Sequence, residues 1–132
     1  GKDLSKSFGS LPGSTGKGAG VFTKVASAGG IDSSGPYTGE SYDAAALIVL
    51  AMGAGGSSDR QSIADNIMGV ANAPGTEILP GQLRKGLVIL KDGGEINYQG
   101  ATDVELVGVG EASGSFKEVE VSGGAFATVQ IR

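Results

Sequence analysis

Histidine and cysteine are both absent from the 132-residue chain, which removes the Ser-His-Asp and Cys-His nucleophile systems and the usual zinc and iron–sulfur ligand sets together. Catalysis would have to rest on carboxylates, lysine or hydroxyls alone. Gly13-Ser14-Thr15-Gly16-Lys17-Gly18 invites a phosphate-loop reading, because glycine-rich turns can aim several N–H groups at an anion. The spacing fails. The first required glycine falls on Leu11, and Gly18 stands where serine or threonine should bind magnesium, so a solvated loop is expected.

Glu40 and Asp43, three residues apart, share a helix face and have the types of a metal or acid/base pair. Carboxylates near a helix N-terminus are ordinary stabilisers, and that role is expected for both. Of the three tyrosines, Tyr37 follows Gly35-Pro36 at a turn, where a side chain can project into a cleft and meet a small ligand. Tyr42 is expected inside a helix, in the core with its hydroxyl satisfied. Glu118 and Glu120 alternate with Val119 and Val121, the pattern of a hairpin with one solvated face.

Charge is modest, 14 Asp and Glu against 10 Lys and Arg with no block of one sign, so nothing marks a nucleic acid or anionic membrane as partner. Without cysteine there is no disulfide framework. The uncharged run between Asp43 and Asp59 holds only about eleven contiguous strongly apolar positions, short of the roughly 20 that span a bilayer. No signal-peptide pattern stands at the N-terminus. Glycine is abundant, 25 of 132, without a fixed period, and clusters at junctions between short elements.

The elements that must position these residues follow from periodicity. Up to Gly20 a short strand end at most is expected, then a loop; Val21 to Ala28 has the spacing of a short helix ending at Gly29-Gly30. A second helix starts near Pro36 to Thr38, and its Ala44 to Met52 stretch is apolar at every position, which predicts cover on most sides. Ser58-Asp59-Arg60-Gln61 has capping-box spacing for a third helix carrying Ile63, Ile67 and Val70. Pro80 opens a fourth with Leu83, Leu87 and Leu90 on one stripe, and Gly86 within it suits a close neighbour. Then the period changes to two: Val104 to Val109, Phe116 to Val121 and Ala125 to Ile131 read as strands, the last two joined at Ser122-Gly123-Gly124 as a hairpin. Taken alone, helices first and strands last is an α+β order.

Three pieces in this order carry a resemblance: Ser34-Gly-Pro-Tyr37 leading into Ser41-Tyr-Asp-Ala44 and its apolar helix; Ala73-Pro-Gly75 with Ile78-Leu-Pro-Gly81 and Glu95-Ile-Asn-Tyr-Gln-Gly-Ala101; and Gly110-Glu-Ala-Ser-Gly-Ser-Phe116 with the closing hairpin. From about Gly9 to Arg132 the chain resembles the C-terminal part of a type I periplasmic solute-binding protein of the Leu/Ile/Val-binding family. The resemblance implies an α/β fold made of partial Rossmann-like lobes, with ligand trapped between two lobes that close about a hinge. On that template residues 1–18 are the end of the second lobe and its crossing loop, 19–107 belong to the first lobe, and 108–132 form a hairpin returning to the second.

The same resemblance implies a non-catalytic, periplasmic component of an ATP-driven importer, with a membrane permease as partner and no cofactor or metal. The Leu11 to Ser14 loop and the Tyr37 to Gly39 turn look like the family's cleft-lining segments, so Gly13, Ser14, Tyr37, Thr38 and Gly39 are the candidate ligand contacts. The family often has a bulky side chain where this chain has Thr38 and Gly39, so the solute expected is small and polar or amphipathic, such as an amino acid. The alternative is a self-associating structural domain without a ligand, and a homodimer or swapped assembly is expected wherever strand edges stand unpaired. An enzyme is the least supported class, because no nucleophile–base pair can be assembled.

Overall fold

A computed structural model describes residues 3–13, 16–108 and 110–132. The chain is mixed α/β, in the order β1 (Phe8–Gly13), α1 (Lys17–Ala28), α2 (Thr38–Gly55), α3 (Arg60–Ala71), β2 (Thr76–Ile78), α4 (Leu83–Lys91), β3 (Ile96–Tyr98), β4 (Glu105–Gly108), β5 (Glu111–Ser113), β6 (Ser115–Ser122) and β7 (Ala125–Ile131). Helices precede the C-terminal strands, as the sequence predicts.

The core forms where α2, α3 and α4 cover the two short strands. Leu47, Leu50, Ala51, Val70, Ile78, Ile96 and Tyr98 make one buried cluster, with Ile63, Ile67, Leu83, Leu87 and Leu90 packed on it. The predicted stripes of α3 and α4 therefore face inward. Gly86 lies against Leu50, whose Cδ2 would stand 2.9 Å from an added Cβ, so the close neighbour that its helix position requires is present.

Three expectations need correction. The first concerns α2, which is not covered on most sides: Leu47, Leu50 and Ala51 are buried, but Ile48 and Val49 are 44% and 41% exposed. One flank meets α3 and α4, and Tyr42 near its start packs on Phe22 of α1. Second, the described residues before Gly20 include more than a strand end and a loop. β1 is a full strand, and α1 begins at Lys17 rather than Val21.

A tertiary contact extends α1 in spite of its glycines. Gly18 is buried so tightly that an added Cβ would lie 1.8 Å from the Gly100 carbonyl oxygen, a separation only glycine permits. Third, the α3 cap sits one residue later than predicted. Asp59, not Ser58, accepts from Gln61 N at 2.9 Å, and the Gln61 side chain donates forward to Asp65 instead of reaching back. A carboxylate outcompetes a hydroxyl for positively polarised N–H groups.

Within the helices-then-strands order lies a parallel unit, in keeping with the α/β class. β2 pairs in parallel with β3 in register Thr76↔Ile96 through Ile78↔Tyr98, with α4 as the crossover. Each strand has only three residues, too few to display a period. β4 pairs with β5, a strand the sequence reading lacks, and Asn72 ties the end of α3 to it: its amide donates to Leu106 O at 2.7 Å and accepts from Leu106 N at 2.9 Å.

The remaining strands form an antiparallel sheet in the order β1-β6-β7. The predicted hairpin is present as β6 and β7, and β1 adds to its other side with Phe8 opposite Glu120 and Pro12 opposite Phe116. Pro12, lacking an N–H, is tolerated because β1 is an edge. β7 is exposed along its whole length. No helix among the described residues is long and apolar enough to cross a membrane.

Two glycines of α1 separate packing from propensity. Gly18→Ala is expected to lower unfolding free energy by about 1–3 kcal/mol through overpacking. Gly20, with open space around its Cβ position, is expected to gain about 0.5–1 kcal/mol on substitution by alanine. Urea unfolding midpoints at constant slope would read both effects.

Candidate functional site

The Pro36 to Glu40 segment brings α2 to the three-stranded sheet. Tyr37 occupies the left-handed region at φ 62°, an uncommon state for an aromatic residue, and its side chain is 61% exposed. Its carbonyl accepts the first α2 bond, from Ser41 N at 2.9 Å, while Thr38 Oγ1 donates to Gly35 O at 2.7 Å. These bonds hold the turn.

Two cavities flank this turn. The larger, about 550 Å³, has α2 as one wall (Glu40, Asp43, Ala44, Leu47), β1 and the start of β6 as the other, and Val104 and Leu106 between them. Its size falls within the roughly 300–1,000 Å³ of small-molecule sites. The second, about 450 Å³, lies among α1, the Ser33–Pro36 loop and Lys117. Tyr37, Glu40 and Pro12 line both.

Of the candidate contacts, Tyr37 and Gly13 meet at the larger cavity, and Tyr37 and Gly39 at the second. Thr38 lines neither, its hydroxyl being engaged by Gly35. Ser14 lies outside the described residues. Tyr42 behaves as its sequence context predicts: half-buried, its hydroxyl accepts from Gly81 N at 2.8 Å and its ring packs on Phe22 at 5.2 Å between centroids.

Asp43 takes a role other than the helix-end stabilisation expected of it. It is 2% exposed, not an exposed helix-end stabiliser. Oδ1 accepts from Tyr98 Oη and Ala101 N, each at 2.8 Å, and Oδ2 accepts from Thr102 N at 2.8 Å and Thr102 Oγ1 at 2.7 Å. Four donors satisfy one carboxylate, so it functions as an anchor with no lone pair left for proton transfer. Gly100 makes room for it: at φ 60°, an added Cβ would stand 2.4 Å from Asp43 Oδ1. The available signal was a single carboxylate opening a long apolar run, which has no surface role once its helix is buried.

Among the described residues no group of three or more His, Cys, Asp and Glu can hold a metal ion. Lys17, from the rejected phosphate loop, pairs with Glu77 at 2.6 Å on the surface.

Comparison with known proteins is consistent in part with the resemblance. The chain is similar to the chemotactic signal transduction system substrate-binding protein BasB of Halobacterium salinarum, 36% identical over 67 residues that make up 51% of this chain and 16% of that protein. The matched stretch is thus a small part of the relative's length. No family model matches the chain. No solved structure matches it.

Asp43→Asn places an amide N–H₂ where only donors converge, and is expected to cost about 2–4 kcal/mol; Tyr98→Phe, removing one donor, about 1–3 kcal/mol. Burial first, then the Asp43 charge and the bond to it, raise the Tyr98 phenol far above its ordinary 10.0. The unfolded chain therefore loses this proton first as pH rises, so the contribution is complete below about pH 10 and lost progressively above it. Chemical denaturation from pH 8 to 11 should give a shallower alkaline decline in Tyr98→Phe than in the unsubstituted chain.

Proposed function

We propose that this chain is part of an extracytoplasmic solute-binding protein that holds a small polar or amphipathic solute, such as an amino acid, between two lobes and delivers it to the membrane permease of an ABC importer without chemical change. Its template is the type I, Leu/Ile/Val-binding architecture. In this reading residues 1–18 and 108–132 belong to one lobe and 19–107 to the other, and the protein works in the periplasm or its equivalent outside the membrane.

The observation that carries the reading is the cavity between α2 and the β1-β6-β7 sheet, with Tyr37 held in a left-handed turn on its rim. A strained residue at a cleft edge fits a functional constraint better than a packing one, since its ring buries little. The pairing of β1 with β6 supports the lobe assignment, because it joins the two ends of the chain in one sheet. The similarity to a protein named as substrate-binding supports the class. The lack of a nucleophile–base pair supports a non-enzymatic role.

A second reading, a self-associating structural domain, has one observation in its favour: β7 is an exposed edge carrying Phe126, Val129 and Ile131 in the open.

A thermal-shift panel of amino acids, amides and small acids tests the first reading, because a solute bound only to the native state at 100 times its Kd adds about 2.7 kcal/mol of stability. Tyr37→Gly relieves the left-handed residue, so its stability should stay equal or rise by up to about 1 kcal/mol, while the solute response disappears. A flat response across the panel, with dimers in light scattering, would favour the second reading.

A further inference from the structure

The charge of the larger cavity points to a narrower class of solute. We propose that this cavity selects a small organic cation with an apolar body, its charged head at Glu40 and Tyr37 and its body against Leu47, Val104 and Leu106. The inference rests on the reading of the cavity as a solute site.

Two carboxylates line the space, Glu40 and Asp43, and among the described residues neither lysine nor arginine does. Asp43 is held by four neutral donors, which satisfy its lone pairs but leave its net charge in place. Glu40, one helical turn earlier and half-buried, makes no side-chain hydrogen bond or ion pair among the described residues. The positive end of α2 offsets part of the Glu40 charge, and Lys117 is among the residues of the second cavity, which Glu40 also borders, and not of the larger one.

Most of the remaining lining is apolar, so the two charges act across low-dielectric walls and favour a cation over an anion. Tyr37 and Phe116 add aromatic rings to the same lining, and an aromatic ring beside a carboxylate is the chemistry that receives an ammonium group. A carboxylate on the solute would meet the same two negative groups, so an amine should bind more tightly than the amino acid of equal body.

The test uses the 132-residue chain and solutes that share one branched body: 3-methylbutylammonium, the corresponding trimethylammonium cation, leucine, 3-methylbutanoate and the neutral 3-methylbutanol, titrated by calorimetry. At least one cation is expected to bind about tenfold or more tightly than the alcohol. Which cation binds better separates a primary-amine solute from a quaternary one, and leucine should fall below the better cation. Glu40→Gln should abolish the preference for the cation over the alcohol, with the unliganded melting curve checking its fold.

Equal or tighter binding of the alcohol, leucine or the anion overturns the cation assignment while leaving a solute site standing. A cation preference that survives Glu40→Gln overturns the role of Glu40. Binding of none of the five removes both the assignment and the solute-site reading beneath it.

Discussion

The Asp43 carboxylate is the constraint on which the rest of the structure depends. Its four bonds join two stretches that the chain order keeps apart: the first turns of α2, and the segment from the end of strand β3 at Tyr98 into the turn at Ala101 and Thr102. That turn also receives α1, because Gly18 seats against the Gly100 carbonyl. A single buried acid thus fixes where two helices stand relative to the parallel strand pair. Burying a charge is tolerated only where every lone pair is met, and here two backbone N–H groups and two hydroxyls converge on one carboxylate. Tyr98 belongs to both sides of the arrangement, its ring in the apolar core and its hydroxyl on Asp43.

The same helix turn connects the anchor to the cleft. Glu40, Ala44 and Leu47 lie at minus three, plus one and plus four from Asp43, and all line the larger cavity. Asp43 therefore sets the angle at which α2 presents its cavity wall, and the Tyr37 turn is carried along on the same rigid segment. The opposite wall, β1 and β6, is fixed by strand pairing. The cleft thus lies between a helix anchored by a buried carboxylate and a sheet held by backbone bonds.

Much of this was legible where a pattern was long enough to repeat. The buried half of α2, the inward stripes of α3 and α4, and the β6-β7 hairpin all followed from periodicity and turn residues, and the demand that Gly86 makes for a close neighbour is met by Leu50. Three-residue strands carry no period, so β2 and β3 stayed hidden although Ile78 and Ile96 are fully buried. Apolar composition overstated the cover on α2, because Ile48 and Val49 are apolar without being buried. Asp43 was misread because local rules for helix ends are blind to a partner turn nearly sixty residues away; the Thr102 bonds span 59 positions. For the candidate site, the turn at Tyr37 could be found from Gly35-Pro36, whereas Glu40 gains meaning only when the sheet closes a cavity over it.

The most direct measurement is native-state amide hydrogen exchange at Ala101 and Thr102, whose N–H groups have no partner other than the Asp43 carboxylate among the described bonds. If the carboxylate anchors α2 to this turn, both amides exchange slowly, at a level near that of the Gln99 amide bonded to Ile78. Exchange as fast as that of the exposed Gly123–Gly124 turn would contradict the anchor, and with it the geometry that places Glu40 and Tyr37 at the cleft.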